Sequence, residues 1–187
     1  MSSFSPDDAR LKELILHVSA RCADWDDFDP FLLERILFQS DFLHFREHGT
    51  PITGQTYRRG LMGPSPRGMA RVLKTLARDF AVQETPLGDG LHVRRRPRAL
   101  READLGIFDG QELVTVEEVI AFYRWNRLVG ETGRGAGAGP SDLVEVPWES
   151  AGLREEIPYA LALVGQAQGL SLALGIADSA RPEAIGP

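Results

Sequence analysis

The sequence predicts a mainly α-helical fold: a compact bundle of about five or six helices around a central apolar helix, with one small two-stranded β-ribbon. Apolar residues recur at helical spacing between residues 11 and 80. The segment 32–45 would be apolar around most of the circumference of a helix, as expected of a central helix. One Asp89-Gly90 pair lies between two short segments of strand character, which is typical of a hairpin turn.

Composition favours one globular domain, which we expect over residues 5–176, with residues 177–187 as a flexible tail. Apolar residues make up 43% of the chain and charged residues 26%, both ordinary globular values. Cys22 is the only cysteine, which excludes an intramolecular disulfide and a multi-cysteine zinc site. The N-terminus does not resemble a signal peptide, and the apolar stretch 159–176 is too polar to cross a bilayer. We therefore expect a cytoplasmic protein without a membrane partner.

The first two helices are defined by capping residues. Ser5 is the expected N-cap of a helix from Pro6 to Cys22. Asp29 is the expected N-cap of the central helix, and Gly49 is its expected C-cap. Between these caps the apolar residues fall on one face of the first helix and on most of the second.

The remaining elements follow from turns and periodicity. A third helix is expected after residues 63–66, and its predicted inward-facing residues are Met69, Val72, Leu73, Leu76 and Phe80. The ribbon should join residues 81–85 to 91–94. Thr115-Val-Glu-Glu118 matches a capping box and predicts a fourth helix to Leu128, followed by a glycine-rich loop over residues 131–140. A last helix should begin near Pro158.

One segment combines motifs that rarely occur together. The central helix is followed by Gly49-x-Pro-Ile-Thr-Gly54, then by Tyr57, then by Gly63-Pro-Ser-Pro66. This pattern resembles the Panacea domain, the module of SocA-like antitoxins. A fainter match at residues 146–148 extends the resemblance over residues 10–170. The structural positions that it implies are Gly49, Pro51, Thr53, Gly54, Gly63, Pro64, Pro66 and Trp148.

The resemblance implies an antitoxin that neutralises a cognate toxin by direct binding, the toxin being encoded by an adjacent gene. Some proteins of this kind act as adaptors that deliver the toxin to a protease. No catalytic residue, cofactor or metal is expected. The candidate contact residues around the motif are Asp41, His44, Arg46, Tyr57 and Arg58.

A basic stripe supplies further contact candidates. Arg67, Arg71, Lys74 and Arg78 recur at helical spacing, and Arg95 lies in the arginine-rich run 94–98. Three interpretations remain open: a solvated face paired with acidic residues, a docking surface for a toxin, or a winged-helix surface for DNA. The net charge of −6 disfavours general affinity for nucleic acid but does not exclude a local basic face.

Asp41, His44 and His48 fall at i, i+3 and i+7, a spacing that suits a metal. The favoured interpretation is instead a polar helix edge that is hydrogen-bonded to the segment 53–57. Ser65 has no recognisable partner that would activate it as a nucleophile. Trp148 is expected in the core, with an exposed contact residue as the alternative.

Overall fold

The computed structural model describes residues 4–87, 94–132, 146 and 148–163. It combines helices with short antiparallel strands, which agrees with a mainly α class but is not clearly a helical bundle. The α-helices are α1 (Asp8–Arg21), α2 (Pro30–His48), α3 (Met69–Arg78) and α4 (Gly110–Thr132). The strands are β1 (Tyr57–Arg59), β2 (Pro64–Pro66), β3 (Val82–Leu87), β4 (Arg94–Ala99) and β5 (Glu156–Ile157). Single 3₁₀ turns lie at Leu105–Ile107 and Trp148–Ser150.

Two hydrophobic clusters share α2. Leu33, Ile36 and Leu37 belong to the larger cluster, with side chains from α1, α3 and α4. Phe38 and Phe42 belong to a smaller cluster around β1 and β5. Because α2 contributes to both, most of its circumference is buried, as its apolar sequence predicts.

The caps of α2 are also those predicted. The Asp29 carboxylate accepts the N–H of Leu32 at 2.8 Å, and Pro30 opens the first turn. Gly49 ends the helix with φ of 77°, and its N–H donates to the carbonyl of Phe45 at 2.8 Å. A left-handed residue at this position is the usual way to stop a helix.

The N-cap of α1 differs from the prediction. The Oδ1 atom of Asp7 accepts the N–H groups of Ala9 and Arg10, so the cap is Asp7 and not Ser5. The N–H of Asp7 donates to the carbonyl of Thr53 at 2.9 Å. This bond ties the residue to the loop after α2, which explains why the helix does not begin at Pro6.

The start of α4 also differs from the prediction. A reciprocal pair closes the capping box earlier, at Asp109 instead of Thr115: Glu112 N–H donates to Asp109 Oδ1, and Asp109 N–H donates to Glu112 Oε2. Thr115 lies inside the helix, where its hydroxyl donates to the carbonyl of Gln111. The helix continues to Thr132, so the predicted glycine-rich loop begins later than residue 131, and its residues 133–140 lie outside the described chain.

A three-stranded sheet was not predicted. Its order is β2-β1-β5, with both pairings antiparallel and Tyr57 opposite Pro66 on one side and Ile157 on the other. Residues 63–66 therefore form a turn and an edge strand, where proline is tolerated because one side of the strand has no neighbour to which it must donate. α3 begins only after Gly68.

The predicted ribbon is present but longer. β3 pairs with β4 from Val82↔Ala99 to Leu87↔Arg94, so the arginine-rich run lies on a strand. The Asp89-Gly90 turn lies outside the described residues. Phe80, predicted to face inward from α3, is 83% exposed because the helix ends at Arg78.

The end of the described chain is a short turn. The N–H of Leu161 donates to the carbonyl of Pro158 at 3.0 Å, which agrees with a helix beginning near Pro158. The remainder of that helix and the tail at residues 177–187 lie outside the described residues. Within the described chain, no helix has the length and apolar character needed to cross a membrane.

Candidate functional site

A buried polar cluster lies at the centre of the motif. Asp41 on α2 accepts the N–H of Thr53 at 2.6 Å and the hydroxyl of Tyr57 at 2.8 Å. It also accepts the hydroxyl of Thr53. Asp41 and Tyr57 have no exposed surface, and Thr53 is 2% exposed. The motif residues therefore hold one another inside the fold, as the polar-edge interpretation predicts.

Gly54 makes the turn around this cluster possible. Its φ is 64°, a conformation that glycine adopts without penalty. A Cβ atom at this position would lie 2.8 Å from the carbonyl oxygen of Ser5. Glycine is thus required both by the backbone angle and by the close approach of the N-terminal segment.

Burial dominates the electrostatics of the cluster. It raises the pKa of the Asp41 carboxyl, although the hydrogen bonds from Thr53 and Tyr57 act in the opposite direction. Burial also raises the pKa of Tyr57 well above its usual range, with Asp41 adding to the effect. A neutral phenol that donates to Asp41 is therefore the stable form of Tyr57.

The Asp41→Asn variant should reveal this pKa through the pH dependence of stability. Because the pKa of Asp41 is higher in the folded protein than in the unfolded chain, its stabilising contribution is full below about pH 4 and is lost as the pH rises through the folded value. The free energy of unfolding of the wild type should therefore fall, relative to that of Asp41→Asn, as the pH rises.

Urea unfolding of both proteins between about pH 4 and pH 8 measures this difference. A difference that instead grew with pH would mean that the hydrogen bonds outweigh burial and lower the pKa of Asp41.

His44 and His48 do not form a metal centre with Asp41. The Nδ1 atom of His44 lies 2.6 Å from the carbonyl oxygen of Thr50, and its ring lies 4.4 Å from that of His48. Asp41 is occupied by Thr53 and Tyr57. Within the described ranges no group of three or more potential ligands could hold a metal.

The prediction that the buried members of this cluster contact a partner is wrong. Asp41 and Tyr57 are fully buried and His44 is 4% exposed, so a partner could not reach them without opening the fold. Arg46 is partly buried, and its guanidinium group lies 3.5 Å from the carboxylate of Glu47. Arg58, on β1, is exposed and available to a partner.

The residues of the basic stripe are exposed, but some of them form ion pairs and not all of them lie on α3. Arg71 donates to Asp8 at 2.6 Å, and Arg95 lies 3.7 Å from Glu84. Lys74 is exposed on α3, whereas Arg67 lies before the helix, where its N–H donates to the carbonyl of Thr56. Part of the stripe therefore behaves as a solvated face with local ion pairs.

Trp148 is buried in the smaller cluster, which confirms the core interpretation. It is 8% exposed, and the guanidinium groups of Arg35 and Arg59 lie 5.7 and 5.8 Å from its ring. Arg59 also donates to the carbonyls of Glu149 and Ala151, both at 2.6 Å. The residue preceding Trp148 lies outside the described chain.

A groove of about 600 Å³ was missed by the sequence analysis. It lies between the start of α2, the β1–β2 turn and the segment before β5. Four apolar side chains of its lining are exposed: Leu61 by 85%, Met62 by 56%, Leu153 by 51% and Phe31 by 40%. The available sequence signal was an apolar pair, Leu61-Met62, between two glycines, where turn residues are usually polar.

The turn that carries this pair is well defined. Gly60 N–H donates to the carbonyl of Gly63 at 2.8 Å and closes the hairpin. β1 is held on its other side, because Arg59 N–H donates to the carbonyl of Glu155 and Arg154 N–H donates to that of Arg59. Leu61 and Met62 are therefore displayed by a hydrogen-bonded frame.

Comparison with known proteins found no matching family model, no matching curated protein and no matching solved structure.

Proposed function

We propose that this chain is an antitoxin-like protein-binding module, which neutralises a cognate toxin by binding it and covering its working surface. The observation that carries the proposal is the exposed apolar groove beside the motif, with Leu61 and Met62 at its rim. Apolar surface displayed on a fixed frame is typical of a protein-binding site. The resemblance to the Panacea domain supplies the class of partner.

The arrangement of the motif supports binding rather than chemistry. Asp41, Thr53 and Tyr57 satisfy one another inside the fold, so the motif acts as a scaffold. The surface that it supports carries the groove on one side and exposed cations such as Arg58 and Lys74 elsewhere. Exposed cations away from the groove steer the approach of an acidic region of the partner that lies outside the segment bound in the groove.

The test is co-expression of the full chain with the product of the adjacent gene. We expect that product to arrest growth alone, to become harmless with this protein present, and to purify with it as a complex. A neighbour that is harmless and forms no complex would overturn the antitoxin proposal. A toxin that disappears from the cell only when a protease is intact would identify delivery rather than occlusion.

DNA binding is the second candidate, and it rests on the position of the ribbon. α3 packs against β3, and Arg95 and Arg98 are exposed on β4, as in a helix with a basic wing. The pairing of Arg71 with Asp8 and of Arg95 with Glu84 weakens this candidate. Duplex binding that falls steeply with salt and is lost in the Arg71→Glu, Arg95→Glu double variant would establish it.

A further inference from the structure

Glu34 occupies an unusual place for a carboxylate. It lies on α2 in the wall of the groove, among Phe31, Leu61 and Met62, and it is only partly exposed. Ser65 on β2 also lines the groove, and its hydroxyl lowers the pKa of the Glu34 carboxyl. The surrounding surface is otherwise mainly apolar, so the carboxylate is the distinctive polar group of this site.

No cation within the described chain forms an ion pair with Glu34. The charged groups around it include Asp29, at the N-cap of the same helix, Arg154, which also lines the groove, and Arg35, whose side chain lies beside Gly63. β2, which packs on this side of α2, contributes the Ser65 hydroxyl. Burial, with a smaller contribution from the negative charge of Asp29, raises the pKa of Glu34 to about 7, and the Ser65 hydroxyl acts in the opposite direction.

We propose that the groove binds a partner segment carrying a large apolar side chain next to a lysine or arginine, whose cation pairs with the Glu34 carboxylate. This inference rests on the proposed function and specifies the chemistry of the partner. The apolar side chain would cover Phe31, Leu61 and Met62, which water otherwise contacts. The cation would neutralise a carboxylate that has no ion-pair partner among the residues that the structure describes.

Charge complementarity selects this occupant over a purely apolar one. An apolar segment would cover the Glu34 carboxylate without replacing its solvation, and burial of an unpaired polar group is costly. An acidic segment would add like-charge repulsion to that cost. A basic residue converts the same carboxylate into a specific contact, because charge-assisted hydrogen bonds are stronger than neutral ones.

Binding should consequently depend on pH. The cation binds the ionised form of Glu34, and with a pKa of about 7 that form rises from roughly a tenth to nine tenths between about pH 6 and pH 8. The apparent affinity scales with this fraction, so binding should tighten about tenfold over the interval. The Glu34→Gln variant should bind more weakly at about pH 8 and should lose this pH dependence.

The experiment is selection of a random peptide-display library on the full chain, followed by measurement of how tightly the enriched peptides bind the Leu61→Asp variant. Phe80→Asp serves as the matched control, since Phe80 is 83% exposed and lies outside the groove lining. We expect enriched peptides to share a large apolar residue within one or two positions of Lys or Arg. Their affinity for the Phe80→Asp variant should equal that for the wild type. Their affinity for the Leu61→Asp and Glu34→Gln variants should be at least tenfold lower.

Three outcomes would overturn the inference: enriched peptides without a basic residue, peptides that bind Leu61→Asp equally well, or a dimer in sedimentation that Leu61→Asp dissociates. The last would make a second copy of this chain the occupant. The result is independent of the toxin test. If basic peptides bind in the groove but the neighbouring gene product is harmless, only the antitoxin proposal is overturned. If a toxin is neutralised equally well by the wild type and by the Leu61→Asp and Glu34→Gln variants, only this inference is overturned.

Discussion

Replacement of Asp41 by alanine should lower the free energy of unfolding by about 3–5 kcal/mol, because it leaves the N–H and hydroxyl of Thr53 and the hydroxyl of Tyr57 without an acceptor. Each buried donor left unpaired costs about 1–3 kcal/mol. Urea unfolding followed by circular dichroism measures the loss. Asp79→Ala is the control, since Asp79 is exposed beside Arg78 and should lose less than about 1 kcal/mol.

A double-mutant cycle identifies the mechanism. In a Tyr57→Phe background one donor has been removed, so the additional cost of Asp41→Ala should be smaller than in the wild type. If Asp41→Ala lowered the free energy of unfolding equally in both backgrounds, the hydrogen bond from the Tyr57 hydroxyl to Asp41 would contribute nothing to stability. A loss below about 1 kcal/mol for Asp41→Ala itself would show that the cluster does not stabilise the fold.

Phe42→Ala should be similarly damaging, with a loss of about 3–5 kcal/mol. Phe42 has no exposed surface, and its ring centroid lies 4.2 Å from that of Phe38 and 4.4 Å from that of Tyr159. Truncation removes a buried ring and leaves a cavity where α2 meets the end of the described chain. The loss should appear as a lower urea midpoint with an unchanged slope.

Phe80→Ala provides the comparison for this second prediction. Phe80 is the same residue type but is 83% exposed, so its removal should change the free energy of unfolding by less than about 0.5 kcal/mol. Comparable losses at the two positions would mean that Phe80 is buried in solution and that α3 is longer than Met69–Arg78.

The ends of α2 could be predicted from neighbouring residues in the sequence. The start of α4 depends on tertiary contacts, and its prediction was wrong. Asp29 and Gly49 act on the helix end next to them, so sequence alone locates both. The capping pattern at Thr115 predicted the wrong start of α4, because neighbouring sequence carries no information on tertiary contacts. The structure uses the one at Asp109, where the preceding Phe108 joins the larger cluster and Leu113 packs against it.

The candidate site was predictable to the same degree. The spacing of Asp41 and the nearness of Thr53 and Tyr57 in sequence suggested their contact, and the structure confirms it. Their burial depends on β5 and on Trp148, which are about a hundred residues away, so sequence left them as surface candidates. The groove was missed for the same reason, because Leu153 joins Phe31 and Leu61 only after the sheet has formed.

The position of β1 between β2 and β5 has a consequence for synthesis on the ribosome. Tyr57 pairs with Pro66 early in the chain, but its other neighbour, Ile157, emerges about a hundred residues later. Until then the nascent chain has nothing from β5 or Trp148 to cover Phe38 and Phe42. A message truncated after α4 should consequently yield a polypeptide that holds its larger cluster but exposes its aromatic one, a target for chaperones and proteases.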